Sequence, residues 1–358
     1  MHHGCTREEQ VRWLVDVWTA VEQERRKGAD IRAVTLWSMF GAVDWRSLLT
    51  KRENIYDVGA FDTRSAKPRP TLVAKAAAKL GRGETFDHPL LDVPGWWRRP
   101  GRCHGRRRFE TLPSNCAHAR PILITGATGT LGQAFARICA HRGLPYVLTS
   151  RAELDITREE SIAAALDRYK PWAIINTAGF VRVAEAEELS DECFRINATG
   201  PELLAKACKI GGLPLVTFSS DLVFDGKLGR SYVEPDVIAP SNAYGRSKAE
   251  AEARLMDIDS DALIIRTSAF FGPWDRHNFL FNTMERLKRG EEVVVSERTI
   301  ISPTYVPDLV HAALDLLLDE EKGIWHLTNQ GAISWHDLAR EVADRAKVDR
   351  KLVLAAEN

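Results

Sequence analysis

The sequence predicts an α/β protein built on a doubly wound, mostly parallel sheet, and three observations carry that prediction. The first is the stretch from Pro121 to Gly132, PILITGATGTLG, where a short apolar run meets glycines at 126, 129 and 132. An apolar-periodic segment follows, so the order reads as buried strand, tight turn and helix. The second is the alternation of strand-like and helix-like periods from Arg120 onward, the pattern of a parallel sheet with crossover helices. The third is composition: 44% of the residues are apolar, enough for a real core.

The 358 residues suit two domains or one large one with extensions. With 49 basic and 49 acidic residues the formal net charge is zero, so no general attraction to nucleic acid or membrane is implied. The six cysteines (5, 103, 116, 139, 193 and 208) show no CxxC or Cys/His spacing. That argues against a zinc site and for reduced thiols in a cytoplasmic protein. No apolar run approaches the ~20 residues that span a bilayer, and the opening MHHGCTREEQ is too polar for a signal peptide.

Residues 6–24 read as a helix, with Thr6 and Glu9 at capping-box spacing and Val11, Leu14, Val15, Trp18 and Val21 on one face. Gly28 ends it. Ile31 to Phe40 reads as a buried strand, a loop with Asp44 and Trp45 follows, and a helix runs from about Thr71 to Leu80. Residues 98–119 carry Pro, Gly and six arginines (98, 99, 102, 106, 107 and 108) with no apolar period. No aromatic ladder accompanies them, so a solvated basic linker is expected.

Beyond it, strands are expected at 121–125, 145–149, 172–177, 214–219, 262–267 and 324–328. Helices are expected at 131–142, 158–169, 190–195, 199–211, 242–257, 278–289, 306–319 and 335–346. Lys351 to Asn358 looks like the start of a further strand.

The chemistry gathers at the ends of these strands. The glycine turn and the free amides of the helix start suit a pyrophosphate. The second strand ends in Ser150 and Arg151 with no acid at that point. A hydroxyl and a guanidinium there suit a 2′-phosphate, hence NADPH. Asp155 and Ile156 fall where an adenine could lie. Thr177, Ala178 and Gly179 are small enough to let a cofactor cross the third strand end. The fourth strand delivers Ser220 and Asp221. Tyr244 and Lys248 then stand four residues apart on one helical face. A nearby ammonium is expected to pull the phenol below its ordinary pKa of ~10, so that it exchanges a proton with a carbonyl or alcohol oxygen.

Two resemblances follow from these residues. Residues 120–358 resemble the extended short-chain dehydrogenase/reductases, and among them the dTDP-4-dehydrorhamnose reductase family. The carrying stretches are ILITGATGTLG (122–132), RAELDIT (151–157), PWAIINTAGFVRVAEAE (171–187), FSSDLVFDG (218–226), YGRSKAEAE (244–252), RTSAFFGP (266–273) and ISPTYVPDLV (301–310). The resemblance implies a Rossmann-like domain with a small, partly built C-terminal substrate region. It implies reduction of the 4-keto group of a deoxythymidine-diphosphate sugar, with Ser220, Tyr244 and Lys248 as catalytic groups. The cofactor would meet Gly126, Thr128, Gly129, Thr130, Leu131, Ser150, Arg151, Asp155, Ile156, Thr177, Ala178, Gly179, Tyr244 and Lys248. The sugar would meet Val183, Ser220, Asp221 and Tyr244. The resemblance also admits NADH in place of NADPH, Mg2+, and a homodimer.

The chain departs from the family pattern at Leu222, at Phe180 to Ala184 and at Ala269, positions closer to the sugar than to the cofactor. An epimerase or dehydratase of the same fold, or a non-catalytic nucleotide-binding subunit, are the competing readings. Residues 1–97 resemble the last part of a family 1 glycosidase barrel, on LWSMFGAVDW (36–45), ENIYDVGAFD (53–62) and KPRPTLVAKAAAKL (67–80). A complete barrel needs ~250 residues, and the two facing carboxylates of such hydrolysis are lacking. The segment is therefore expected to be an α/β remnant of a TIM barrel without hydrolase activity, followed by the linker (98–119) and the reductase domain (120–358).

Overall fold

The computed structural model describes residues 5–47, 50–65, 67–99, 118–258, 261–275 and 278–356. Most of the expected basic linker, from 100 to 117, lies outside the described residues. The chain forms two compact units: residues 1–120 with 139–145 and 315–321, and the remainder.

In the first unit α1 (Arg7–Arg26) opens the chain. Its Val11 and Leu14 are buried, and Val15, Trp18 and Val21 are partly covered. The capping box does not form. The Thr6 hydroxyl bonds the Glu8 carboxylate, and Glu9 instead accepts the Trp96 amide at 3.0 Å and pairs with Arg12 and Arg99. Two small antiparallel ladders follow, β1 (Ala42–Val43) with β2 (Tyr56–Asp57) and β3 (Phe61–Asp62) with β4 (Arg69–Pro70). Helix α2 (Leu72–Gly81) buries Leu72, Val73, Ala76 and Leu80. The expected strand at Ile31–Phe40 is absent. That stretch makes one bridge, Phe40 to Phe61, and leaves Trp37, Met39 and Phe40 half exposed. A buried parallel strand needs partners on its hydrogen-bonding edges, and only the Phe61 segment supplies one here.

The same unit holds a buried ion network. Arg142 grips Glu8 with Nε at 3.2 and 3.1 Å and Nη2 at 2.5 Å, and also reaches Asp315 at 2.7 Å. Asp319 sits between Arg7 and Arg69, at 3.0 and 2.9 Å, and accepts the Leu72 amide at 2.7 Å.

The second unit is built on six parallel strands. They are β5 (Ile122–Thr125), β6 (Tyr146–Thr149), β7 (Ala173–Asn176), β8 (Leu215–Ser220), β9 (Leu263–Thr267) and, late in the chain, β14 (Gly323–His326). Their spatial order is β14-β9-β8-β7-β5-β6. The connecting helices are α3 (Thr130–Arg142), α4 (Glu159–Tyr169), α5 (Ser190–Phe194), α6 (Gly200–Gly211) and α7 (Ala243–Asp257). After β9 come β10 (Phe270–Phe271), α8 (Phe279–Lys288), β11 (Val293–Val295), β12 (Ile300–Ile301), β13 (Thr304–Tyr305) and α9 (Val306–Leu318). After β14 come β15 (Ile333–Ser334), α10 (Trp335–Ala346) and β16 (Val353–Ala355).

Strands β5 and β7 are buried at every position, as their unbroken apolar runs require. One side of the sheet packs Leu123, Ile174, Leu215 and Ile264 against Ile162, Leu204, Ala205 and Leu255 from the helices. Between β5 and β7 the strand order reverses, and ligands of such sheets bind at the carboxyl ends beside that point. The expected late strand is β16, which pairs in parallel with β11 beside a small core of Leu287, Val293, Ala339, Ala343 and Val353.

Candidate active site

The strand β5 ends at the reversal point and turns through Gly126 at φ +81° into α3. A side chain at Gly126 would put its Cβ 2.8 Å from Thr177 Oγ1 and 3.0 Å from the Ala178 amide. The glycine turn and the small residues after β7 are thus in contact, with room for no side chain between them. Thr177 Oγ1 donates to the Thr125 carbonyl at 2.6 Å, and Thr125 Oγ1 receives the amides of Thr177 and Ala178 at 3.1 Å. Thr128 and Gly129 are exposed at the turn, Thr130 is half-buried and Leu131 is buried.

At the end of β6 the arrangement differs from the expectation. An acid is present: Glu153 accepts both the amide and the hydroxyl of Ser150, at 2.9 and 2.8 Å. Arg151 is mostly exposed and lies 3.4 Å from Asp155. Asp155 is itself held by Thr157, through its amide at 2.9 Å and its hydroxyl at 2.7 Å. Ile156 is buried in the core beside Leu154 and Ile162 rather than open for an adenine. A three-residue reach back to a strand end is a local turn device that spacing arguments for the strand end itself miss.

Helix α7 is fixed at its start by two side-chain oxygens, one from an amide and one from a carboxylate. Asn242 Oδ1 accepts the Gly245 amide at 2.7 Å, and Glu187 Oε1 accepts the Ala243 amide at 2.6 Å. These satisfy two of the free donors of the first turn. Tyr244 follows at the second helical position and packs with Phe180, Ala186, Cys193 and Ala243. One turn on, Lys248 Nζ donates to the Phe218 carbonyl at 3.0 Å and lies 5.8 Å from the centre of the Tyr244 ring. A Cβ on Gly179 would stand 3.6 Å from that Nζ and 3.2 Å from Asn197 Oδ1. The structure therefore brings Gly179, Asn197, Tyr244 and Lys248 together.

Asn197 is the residue the sequence reading missed. A turn of π-helix, Arg195–Thr199, joins α5 to α6 and turns it inward. Its Oδ1 accepts the Phe180 amide at 2.8 Å, and its Nδ2 donates to the Phe180 carbonyl at 3.0 Å and to Ser247 at 3.1 Å. The only signal was an asparagine, a poor helix former, inside a helical stretch.

At the end of β8, Ser220 donates to Asp221 Oδ1 at 3.0 Å and accepts the Leu222 amide at 3.1 Å. Ser268 donates to the other Asp221 oxygen at 2.5 Å. Ala269 beside it has φ +32°, a left-handed backbone that costs an alanine about 1 kcal/mol or more. Val183 stands exposed at the head of a short turn, Val183–Glu185, in the loop after β7.

The charge states depart from the simple expectation. Burial pushes Lys248 down to about 8. The Tyr244 phenol is pushed above its ordinary value, first by burial, then by the negative charge of Asp221 and then by Cys193. The tyrosine is thus held as the neutral phenol, because a buried phenolate loses more hydration than the lysine returns. Among the described residues no group of three or more His, Cys, Asp or Glu is disposed to hold a metal ion. Among them, too, no helix is long and apolar enough to cross a membrane.

Comparison with known proteins gives the same picture. Residues 120–358 match the family model described as the RmlD substrate binding domain. A dTDP-4-keto-6-deoxy-D-glucose reductase of Streptomyces niveus is 36% identical over 221 residues, covering 61% of this chain and 76% of that protein. A dTDP-4-dehydrorhamnose reductase of Aggregatibacter actinomycetemcomitans is 35% identical over 240 residues, covering 64% and 81%. The crystal structure of the Bacillus anthracis dTDP-4-dehydrorhamnose reductase in complex with NADP superposes with a TM-score of 0.64 at 30% identity, covering 67% of this chain and 84% of that one. Over the part that carries the glycine turn, Ser220, Tyr244 and Lys248, this chain belongs to the RmlD substrate-binding-domain family.

Proposed function

We propose that this protein is an NADPH-dependent oxidoreductase that reduces the 4-keto group of dTDP-4-dehydro-L-rhamnose to give dTDP-L-rhamnose. The observation that carries the reading is the juxtaposition of Tyr244, Lys248 and Gly179 beside the glycine turn at the reversal point of the sheet. The cradle at Gly126, where a Cβ would meet Thr177, fits a dinucleotide whose backbone passes close to the chain. Gly126 to Leu131 would hold its pyrophosphate, Ser150 and Arg151 its adenosine end, and Thr177 to Gly179 with Lys248 its nicotinamide end. When bound, the cofactor supplies the hydride.

The residues of the chain then manage the proton. Tyr244, held as the phenol, donates to the carbonyl oxygen as that oxygen gains negative charge. Ser220 offers a second hydrogen bond, for which its hydroxyl must turn from Asp221 to the substrate. Lys248 places a positive charge below the Tyr244 ring and stabilises the phenolate that remains. Val183 and Asp221 border the sugar. The buried free thiols Cys139, Cys193 and Cys208 support a reducing, cytoplasmic setting.

A second reading concerns the sugar alone. Leu222 and Ala269 stand where the family pattern that this chain resembles usually has Tyr and in many members has Trp. The 36% identity to a dTDP-4-keto-6-deoxy-D-glucose reductase supports a 4-keto-6-deoxy sugar of other configuration as the alternative substrate. Oxidation of NADPH followed with each dTDP-keto-sugar tests both readings. Turnover with neither sugar by a protein that binds NADPH would refute both.

A further inference from the structure

The face of α7 that carries Tyr244 and Lys248 continues one turn further to Glu252, four residues beyond the lysine. Glu252 is buried, and a buried carboxylate requires a partner. Its partner is Arg266 on β9, also buried, which grips it through Nε at 2.9 Å and Nη2 at 2.6 Å. The remaining guanidinium nitrogen reaches the Glu234 carbonyl at 3.3 Å and His326 Nε2 at 3.2 Å. Strand β14 places His326 beside Arg266 in register. The Glu234 carboxylate accepts the His326 amide at 3.0 Å, and the imidazole Nδ1 stands 3.3 Å from the Tyr232 carbonyl. Phe224 lies under the guanidinium at 5.0 Å and stacks on Tyr232 at 4.1 Å. One ion pair thus holds the catalytic helix, strand β9 and the segment that links Asp221 to Asn242.

We propose that Glu252 and Arg266 are positioning residues that set both the place and the charge of Lys248. The proposal rests on the catalytic reading above. Glu252 is the carboxylate on the lysine's own helical face, and its negative charge favours the ammonium. The other groups that act on Lys248 are Tyr244 on α7, Cys193 from α5 and the Phe218 carbonyl from β8. Arg266, paired to both carboxylate oxygens, offsets most of the field of Glu252.

The two charges therefore predict opposite effects. Glu252→Gln removes the favourable charge and leaves Arg266 uncompensated, so Lys248 loses its proton at lower pH. Arg266→Met leaves Glu252 facing the lysine alone, so the ammonium persists to higher pH. At a separation of about 6–10 Å, with an effective dielectric near 20, each displacement should be about 1–2 pH units. The Glu252→Leu/Arg266→Met pair removes both charges in a shape that packs, and its profile should return close to the parent's.

The experiment is the pH dependence of kcat/KM for keto-sugar reduction by the full chain, with NADPH affinity and thermal midpoint measured for each variant. Opposite displacements of the alkaline limb, with NADPH affinity within about threefold of the parent, bear the proposal out. Displacements in the same direction overturn it. So does loss of turnover without displacement, or a double variant whose limb lies where Glu252→Gln puts it. If a single variant does not fold, the double variant and the remaining single variant decide. Tyr244→Phe is measured alongside. Retained turnover there refutes the catalytic reading itself, whereas lost turnover with unmoved limbs refutes only the role of Glu252 and Arg266.

Discussion

Replacing Glu8 should destabilise the unit that contains it far more than a change at an exposed helix position ordinarily does. Its carboxylate is wholly buried and faces Arg142, which is equally buried and makes three contacts to it of 3.2, 3.1 and 2.5 Å. Burial works against the charged carboxyl, but the Arg142 charge and hydrogen bonds outweigh it and hold Glu8 below its ordinary 4.5. Glu8→Ala leaves the guanidinium with Asp315, whose side chain is 37% exposed. Breaking one side of a buried pair costs about 3–5 kcal/mol, a large share of a total stability of about 5–15 kcal/mol. Six of the ten tryptophans fall in residues 1–120, so urea unfolding followed by fluorescence reads this unit directly. Glu8→Gln should lose less, and Glu8→Met/Arg142→Met should recover much of the loss, because an apolar pair needs no ionic partner. The sign with pH is fixed as well. A carboxyl depressed in the folded state stabilises above its ordinary value, and that contribution disappears as pH falls through the folded value. A Glu8→Ala variant within 1 kcal/mol of the parent at pH 7 would refute the reasoning.

Three further outcomes are expected. Tyr244→Phe keeps the ring packing but removes the proton donor, so kcat should fall about 10²–10⁴-fold with NADPH binding intact, as read by single-turnover assay and nucleotide titration. Turnover in reduction should decline as pH rises through about 8, where the buried Lys248 loses its ammonium, and a plateau to pH 10 would contradict that assignment. Arg151→Ala should weaken NADPH about tenfold and NADH little, whereas Glu153→Gln should favour NADPH by removing a carboxylate from Ser150, both read from the ratio of the two affinities.

The parallel sheet was legible because its strands are short apolar runs and its helices carry the 3.6-residue period. Each of the six strands and eight helices expected in the reductase region with stated bounds forms within two residues of them. The N-terminal unit was less legible. Ile31 to Phe40 has the composition of a buried strand, but composition does not say whether a neighbour offers its backbone, and here one bridge is all it obtains. The unit also holds buried pairs such as Glu8 with Arg142, 134 residues apart, which no local pattern announces. Asn197 was hidden for a related reason: its place depends on a single π-helical turn, a departure from the very period used to read helices.

The Tyr244–Lys248 spacing shows where pattern and physics part. Four residues of separation place the two side chains on one face, and that much is geometry. What the pair does to each other's protons depends on desolvation, which the pattern does not contain. Burial penalises the ammonium and the phenolate alike, so Lys248 moves down and Tyr244 moves up, and Asp221 adds to the second effect. The spacing alone suggested a tyrosine ready to ionise, able to exchange a proton with a carbonyl or an alcohol oxygen. The structure holds the opposite form, a phenol beside an ammonium, with both protons in place near neutral pH. That is the form required to give a proton to a carbonyl oxygen, so the same burial that upsets the expected pKa favours the reductive direction.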